Sequence, residues 1–256
     1  MKPKFLKELK LGKTEARPEA VKFKLTDFVN ISALPPIPKN FGHENLIAPK
    51  AWGMLGNDSY GDCVFAGAAH ETLLWNLEAG KNIPFDSKSV LSDYTAVTGF
   101  NPKKPDTDNG TDMKTAAEYR RKTGIVDVHG NRHKIKAYLS ITAGNIQEHL
   151  AAAYLFSSIG IGIQFPASAM EQFNKGKIWS VVKGSRIEGG HYVCIVAKRK
   201  NIEVVTWGSI QGMTTGFFRK YNDESIAYVT EENLINNKSP EGFDCQKLID
   251  CLNSLK

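Results

Sequence analysis

The hydrophobic period of this chain changes partway along it, and that change restricts the folds open to it. Between residues 63 and 156 the pattern is helical. Positions 66, 67, 70, 73, 74 and 77 share one face of a helix expected from Cys63 to about Ala79 and closed by Gly80. Asp86 can cap a second helix carrying Val90, Leu91, Tyr94 and Val97. Thr111 can cap a third with Met113, Ala116, Ala117 and Tyr119, stopped by Gly124. A fourth runs from about Asn145 to Phe156. Beyond it, Ile159 to Phe165, Tyr192 to Ala197, Ile202 to Trp207 and Ser225 to Thr230 are rich in β-branched residues and read as strands. Pro240-Glu241-Gly242 separates a last short helix, Asp244 to Leu255. Helices first and strands second predict an α+β protein.

Two short segments carry chemistry-bearing residues at element boundaries. Gly56-Asn57-Asp58-Ser59-Tyr60-Gly61-Asp62-Cys63 is turn-rich and delivers Cys63 to the first turn of a helix. Unpaired N–H groups and the helix dipole there stabilise a thiolate over a thiol. Gly189-Gly190-His191 places an imidazole at the head of an apolar strand, 128 residues after the thiol. That separation suits a Cys–His pair assembled from two lobes. The bland alternatives are a small buried cysteine and a structural histidine.

These segments resemble the papain-like cysteine peptidases. That family writes its nucleophile loop roughly as Gln-Gly-Ser-Cys-Gly-Ser-Cys-Trp-Ala-Phe, with the oxyanion-hole glutamine six residues before the nucleophile. Cys63 matches the nucleophile and Asn57, also a carboxamide, matches the glutamine. Leu34-Pro35 through Asn40-Phe41 is similar to the family's mature start, and Ser92-Asp93-Tyr94 to its second helix. Asn109-Gly110 is similar to the Asn-Gly-Gly turn beside the substrate cleft. Ile161 to Gln164 and Phe173 to Gly176 match the approach to the histidine, and Trp207-Gly208 stands where the family has Asn-Ser-Trp-Gly. The matches run in order from Leu34 to about Thr230. Three departures accompany them: Tyr60 replaces a disulfide cysteine, Val64 the tryptophan after the nucleophile, and Val205-Thr206 the segment holding the asparagine that orients the histidine.

The resemblance implies a two-lobe fold with the site in the cleft between a helical left lobe, about residues 50–135, and a right lobe built on an antiparallel β-sheet or barrel, about 136–230. It divides the chain into a basic extension (1–32), a papain-like domain (33–235) and a C-terminal helical tail (236–256). It implies cleavage of amide bonds, most simply in peptides, through an acyl-enzyme. Cys63 would attack, His191 would move the proton, and Asn57 with the Cys63 N–H would bind the oxyanion. The histidine's partner is open between Thr206, Asp223 and Glu224. Asn109, Gly110, Gly189, Gly190 and Trp207 would line the substrate cleft. No metal or organic cofactor is implied. A catalytically silent binding or assembly module, and an amidase or transferase acting on a non-protein amide, are the rival readings. His70 reads as a core histidine and Cys194 as strand packing.

Charge is concentrated at the start. Residues 1–24 hold eight Lys/Arg against three Glu, which leaves a net of +1 for the rest of a +6 chain. A near-neutral body argues against a nucleic-acid groove. The basic segment reads as a solvated arm or one meeting an acidic partner, and the region 1–32 as an ordered strap over the body. The four cysteines, Cys63, Cys194, Cys245 and Cys251, form no paired framework, so reduced thiols are expected. With no apolar run long enough to span a bilayer and no secretory leader, the expectation is a cytoplasmic protein without membrane association.

Overall fold

The computed structural model describes residues 9–236, 238–244 and 248–250. From residue 9 the N-terminal segment lies across the body and makes short 3₁₀ turns at Pro18–Ala20, Leu25–Asp27 and Ile31–Ala33. Strand β1 (Phe41–Gly42) precedes helices α1 (Cys63–Glu78), α2 (Ser87–Thr98) and α3 (Met113–Lys122). A small hairpin, β2 (Ile125–Val126) and β3 (Arg132–His133), leads to β4 (Ala137–Ser140) and α4 (Ile146–Phe156). Next come β5 (Ile159–Pro166), α5 (Ala167–Asn174), β6 (Ile187–Lys198), β7 (Ile202–Thr206), β8 (Ser209–Met213), α6 (Thr215–Tyr221) and β9 (Asn222–Val229).

The main sheet runs β4-β9-β5-β6-β7-β8, with β1 added beside β6, and its strand pairs are all antiparallel. Alternation along β6 divides the molecule into two cores. Tyr192, Cys194 and Val196 face one way, into a cluster with α1, α2 and α3. Val193 and Ile195 face the other, into a cluster with Ile159, Ile161, α4 and α6. Period-2 geometry thus lets one strand serve both lobes. The fold is α+β, with helical and β-rich lobes.

Helix α1 is pressed against β6 at Gly67. A Cβ there would come within 2.3 Å of Tyr192 Cε1, and Cys194 Sγ donates to Gly67 O at 3.3 Å. One turn on, Glu71 sits wholly buried, paired with Arg120 of α3 at 2.6 Å and accepting from the Tyr192 hydroxyl at 3.0 Å. The Arg120 guanidinium also lies 4.0 Å over the Tyr228 ring. Burial pushes the Glu71 carboxyl up, while Arg120 and Tyr192 pull it back towards ionisation.

The structure departs from the sequence reading at several ends. Asp112, not Thr111, caps α3, its carboxylate accepting from Thr115 N at 2.9 Å. The Thr111 backbone is instead paired with the N-terminal segment. Strand β6 begins at Ile187 because Gly189 and Gly190, which look like loop, pair with Phe165 and Gln164. Strand β7 ends at Thr206, since Trp207 and Gly208 both take positive φ (44° and 68°) and close a two-residue hairpin into β8. This is the geometry usually written Asn-Gly, and a tryptophan in the first place hides it. The short elements β4, β8, α5 and α6 had no sequence signal. The predicted helix Asp244 to Leu255 and the thiols Cys245 and Cys251 fall largely or wholly outside the described residues.

The buried ion pair supplies a stability test. Arg120→Met strands the Glu71 charge and is expected to cost about 3–5 kcal/mol in urea unfolding. The double variant Glu71→Met/Arg120→Met should recover much of that loss.

Candidate active site

A tight turn aims the thiol. Leu55 and Gly56 take positive φ (55° and 101°), and the N–H groups of Ser59 and Tyr60 both donate to Gly56 O. The Gly61 N–H then meets both oxygens of Asp108, at 3.1 and 3.0 Å. Asp108 also accepts from the Tyr94 hydroxyl at 2.6 Å, and that same hydroxyl accepts from Gly110 N at 2.9 Å. Asp108 and Tyr94 therefore pin the Cys63 loop to the Asn109-Gly110 loop. Neither residue was singled out for a site role in the sequence, because their contribution depends on a meeting of distant loops.

His191 lies on β6, opposite Ile163 of β5. Its Nε2 is 2.7 Å from Thr206 Oγ1, so of the three candidate partners Thr206 is the one in contact. The imidazole is stacked on Trp207 with centroids 4.3 Å apart and planes 16° from parallel, and Phe165 meets it edge-on. A tryptophan at positive φ is a strained arrangement, held here by packing against Phe165, Phe173 and Trp179. His191 Nδ1 is buried without a hydrogen-bond partner. Burial lowers the imidazole pKa to about 3, so it is neutral at pH 7.

Residues 10–14 occupy the groove between these two sides. The N–H groups of Gly12 and Lys13 point to Gly190 O at 3.2 and 3.1 Å. On the opposite wall Thr111 N donates to Gly12 O at 2.9 Å and Thr14 N to Thr111 O at 3.1 Å. Trp207 Nε1 donates to Lys10 O at 3.2 Å, and Gly189 lies under Leu11. Gly12 is the tightest point. A Cβ on it would stand 1.9 Å from Gly61 O, and one on Gly110 would stand 2.0 Å from Gly12 O. The Lys13 side chain is wholly buried, with Nζ 3.0 Å from Asp223 Oδ2 and 3.1 Å from Glu224 Oε1.

The solvated-arm reading fails at Lys13, which is buried and finds its acidic partners within the same chain, whereas Lys10, Arg17, Lys22 and Lys24 stay exposed on a segment whose backbone lies along the body. Asp223 and Glu224 are thereby engaged by Lys13, not by His191.

The closed groove reverses the expected electrostatics of Cys63. The thiol is 2 % exposed, and burial pushes its pKa up to about 12. Asp62 adds to the rise, whereas backbone hydrogen bonding from Tyr192 and Gly12 and the Lys13 charge oppose it. The Asp62 carboxyl is itself fully buried and raised well above the usual carboxylate range, chiefly by desolvation. A helix N-terminus favours a thiolate by far less than complete desolvation disfavours it.

The other expected site residues divide. Gly110, Gly189, Gly190 and Trp207 all touch the inserted segment. Asn109 does not, and its side chain turns to Asp106 O at 3.4 Å within its own loop. Asn57 is buried in the loop before Cys63 and donates through Nδ2 to Tyr60 O at 3.1 Å. His70 is a core histidine, with Nε2 at 2.9 and 3.0 Å from the carbonyls of Trp52 and Gly53. Cys194 packs inside β6 and, like Cys63, is a free thiol. Among the described residues no cluster could hold a metal ion, and no helix is long and apolar enough to cross a membrane.

A thiol in this state has a defined reactivity. Iodoacetamide should label native Cys63 far more slowly than an exposed cysteine. Its rate should climb roughly tenfold per pH unit from about pH 7 to 10, because thiolate is scarce below the raised pKa. A plateau below about pH 8 would contradict this.

No protein-family model matches the sequence, and no curated protein matches it. Solved structures do. Xylellain, a cysteine protease from Xylella fastidiosa, is similar over 90% of this chain and 99% of its own, with TM-score 0.64 and 14% identity. Procathepsin B from Trypanosoma congolense is similar over 86% and 87%, with TM-score 0.62 and 11% identity. The ragweed pollen allergen Amb a 11, a cysteine protease in its proform, is similar over 82% and 71%, with TM-score 0.55 and 17% identity. With the Cys63 helix set against the His191 strand across a groove, this chain has the fold of the papain-like cysteine proteases.

Proposed function

We propose that the protein is a cysteine-dependent peptidase held latent by its own residues 10–14. The observation that carries this reading is the insertion of Gly12 between Gly61 and Gly110, beside Cys63 and His191, in a groove otherwise equipped to pair with an extended chain. Xylellain is described as a protease, and two similar structures are of proforms. A closed cleft in this chain fits the same kind of state.

Displacement of the segment would return water to the groove and relieve the desolvation that keeps the thiol protonated and His191 neutral. His191, held through Nε2 by Thr206, would offer Nδ1 to the Cys63 proton. The dipole of α1 would favour the resulting thiolate. Cys63 Sγ would attack the amide carbon, and its oxyanion would be met by the Cys63 N–H and by Asn57 once its amide turns away from Tyr60 O and Asp62. His191 would give its proton to the departing amine, and water would hydrolyse the thioester. Trp207 would cover the imidazole, and Gly190 O and the Thr111 backbone would pair with the substrate where they now pair with residues 12–14.

The rival is a silent module that keeps the fold without the chemistry. It is favoured by the raised Cys63 pKa and by a threonine as the histidine's contact.

Gly12→Leu separates the two. Its side chain cannot enter beside Gly61, so residues 10–14 should leave the groove. Cys63 alkylation at pH 7 should then accelerate by about 100-fold or more as burial is relieved. Cleavage of unfolded casein should appear and should vanish in Gly12→Leu/Cys63→Ala. Accelerated labelling without cleavage of any protein or peptide would favour the silent module.

In the same opened background, Thr206→Val should lower kcat by about 10- to 100-fold with little change in KM, since it removes the group that orients the base. The measurement is steady-state peptide hydrolysis.

A further inference from the structure

The Lys13 side chain fills a pocket that was shaped for a cation. Its Nζ donates to Asp223 Oδ2 at 3.0 Å and to Thr14 O at 3.1 Å, and meets Glu224 Oε1 at 3.1 Å. Space for the aliphatic stem exists because residue 162 is glycine. A Cβ there would stand 2.1 Å from Lys13 Cε and 2.6 Å from Asp223 Oδ1. The backbone of the same lysine is bonded to Gly190, immediately before His191, so the pocket opens beside the reacting groups.

The carboxylates have few other partners. The Glu224 side chain is 3% exposed; Arg17 N donates to its Oε2 at 3.0 Å, while Oε1 has no hydrogen bond and only the ion-pair contact with Lys13. Asp223 Oδ1 is buried and unpartnered. If Lys13 withdraws, two adjacent carboxylates remain in a desolvated recess with unused acceptors. That arrangement rewards a positive charge and disfavours an apolar or acidic side chain. A guanidinium, with five donors, would also engage the acceptor that lysine leaves unused.

We propose that this recess is the specificity pocket of the opened cleft and that it selects peptide substrates bearing arginine or lysine at one position close to the cleaved bond. The inference rests on the peptidase reading for its substrate, and on the pocket alone for its charge preference. Lys13 then occupies the site as an internal stand-in for the substrate's basic side chain.

Two measurements on the full chain test it. The first does not need catalysis. Lys13→Ala empties the recess, and n-butylammonium or ethylguanidinium should raise its melting temperature saturably, whereas n-butanol should not. Equal responses to the cations and to butanol would overturn the proposal. The second profiles Gly12→Leu against a mixed peptide library by mass spectrometry. Cleavage sites should show arginine or lysine enriched at a single position, with kcat/KM roughly 10- to 100-fold above the norleucine analogue. Glu224→Gln should remove most of that preference without abolishing cleavage of the norleucine peptide. Cleavage with no basic preference would overturn the specificity and leave the peptidase reading standing. Cation rescue of Lys13→Ala in a protein that cleaves nothing would uphold the charged pocket and overturn both the peptidase reading and the pocket's role in selecting substrates.

Discussion

The contact of α1 with β6 is the joint on which the molecule depends. One helix brings the thiol, one strand brings the imidazole, and they belong to different lobes. Their mutual position is set at Gly67, where Tyr192 lies so close that no side chain fits. Behind that contact Glu71, Arg120, Tyr192 and Tyr228 form a buried polar cluster spanning α1, α3, β6 and β9. A buried ion pair adds little net stability compared with an apolar equivalent, but it tolerates few alternative arrangements. It therefore suits a junction whose geometry matters more than its strength.

The second consequence of the joint is the groove itself, and here packing and chemistry oppose each other. Closing it with residues 10–14 supplies backbone pairing on both walls, buries Lys13 and partly covers Leu11 against the body. The same closure desolvates Cys63, Asp62 and His191, and each shifts towards its uncharged form. Covering the groove is compatible with these groups because burial holds each of them neutral. Opening would expose charge-bearing groups to water, where ionisation costs much less.

Much of the scaffold was legible in the sequence. The helices α1, α2 and α4 stand close to the expected bounds because their apolar periodicity and caps are local signals. The strands were found at their β-branched cores and missed at their ends. Gly189 and Gly190 look like loop yet pair in β6, and the Asn222-Asp223-Glu224 start of β9 looks like turn. Those ends are polar or side-chain-free because they border the groove and must admit a backbone or a charge. The hairpin at Trp207-Gly208 was hidden by its tryptophan, which accepts positive φ through aromatic stacking that no local pattern encodes.

Local sequence patterns set the order of helices and strands, the α+β class and the thiol at a helix start, while His191, expected at the head of a strand, lies inside β6. These follow from period, capping and turn chemistry, which act over a few residues. Tertiary structure decided the rest. It set Thr206 against His191 and used Asp108 and Tyr94 to join two loops. It also drew Lys13 of the basic N-terminal segment into a recess of Asp223 and Glu224, 210 residues away along the chain. The physical reason is desolvation. Whether a thiol is reactive, or a lysine solvated, depends on what covers it, and the covering residues are distant in sequence and near only once the chain has folded.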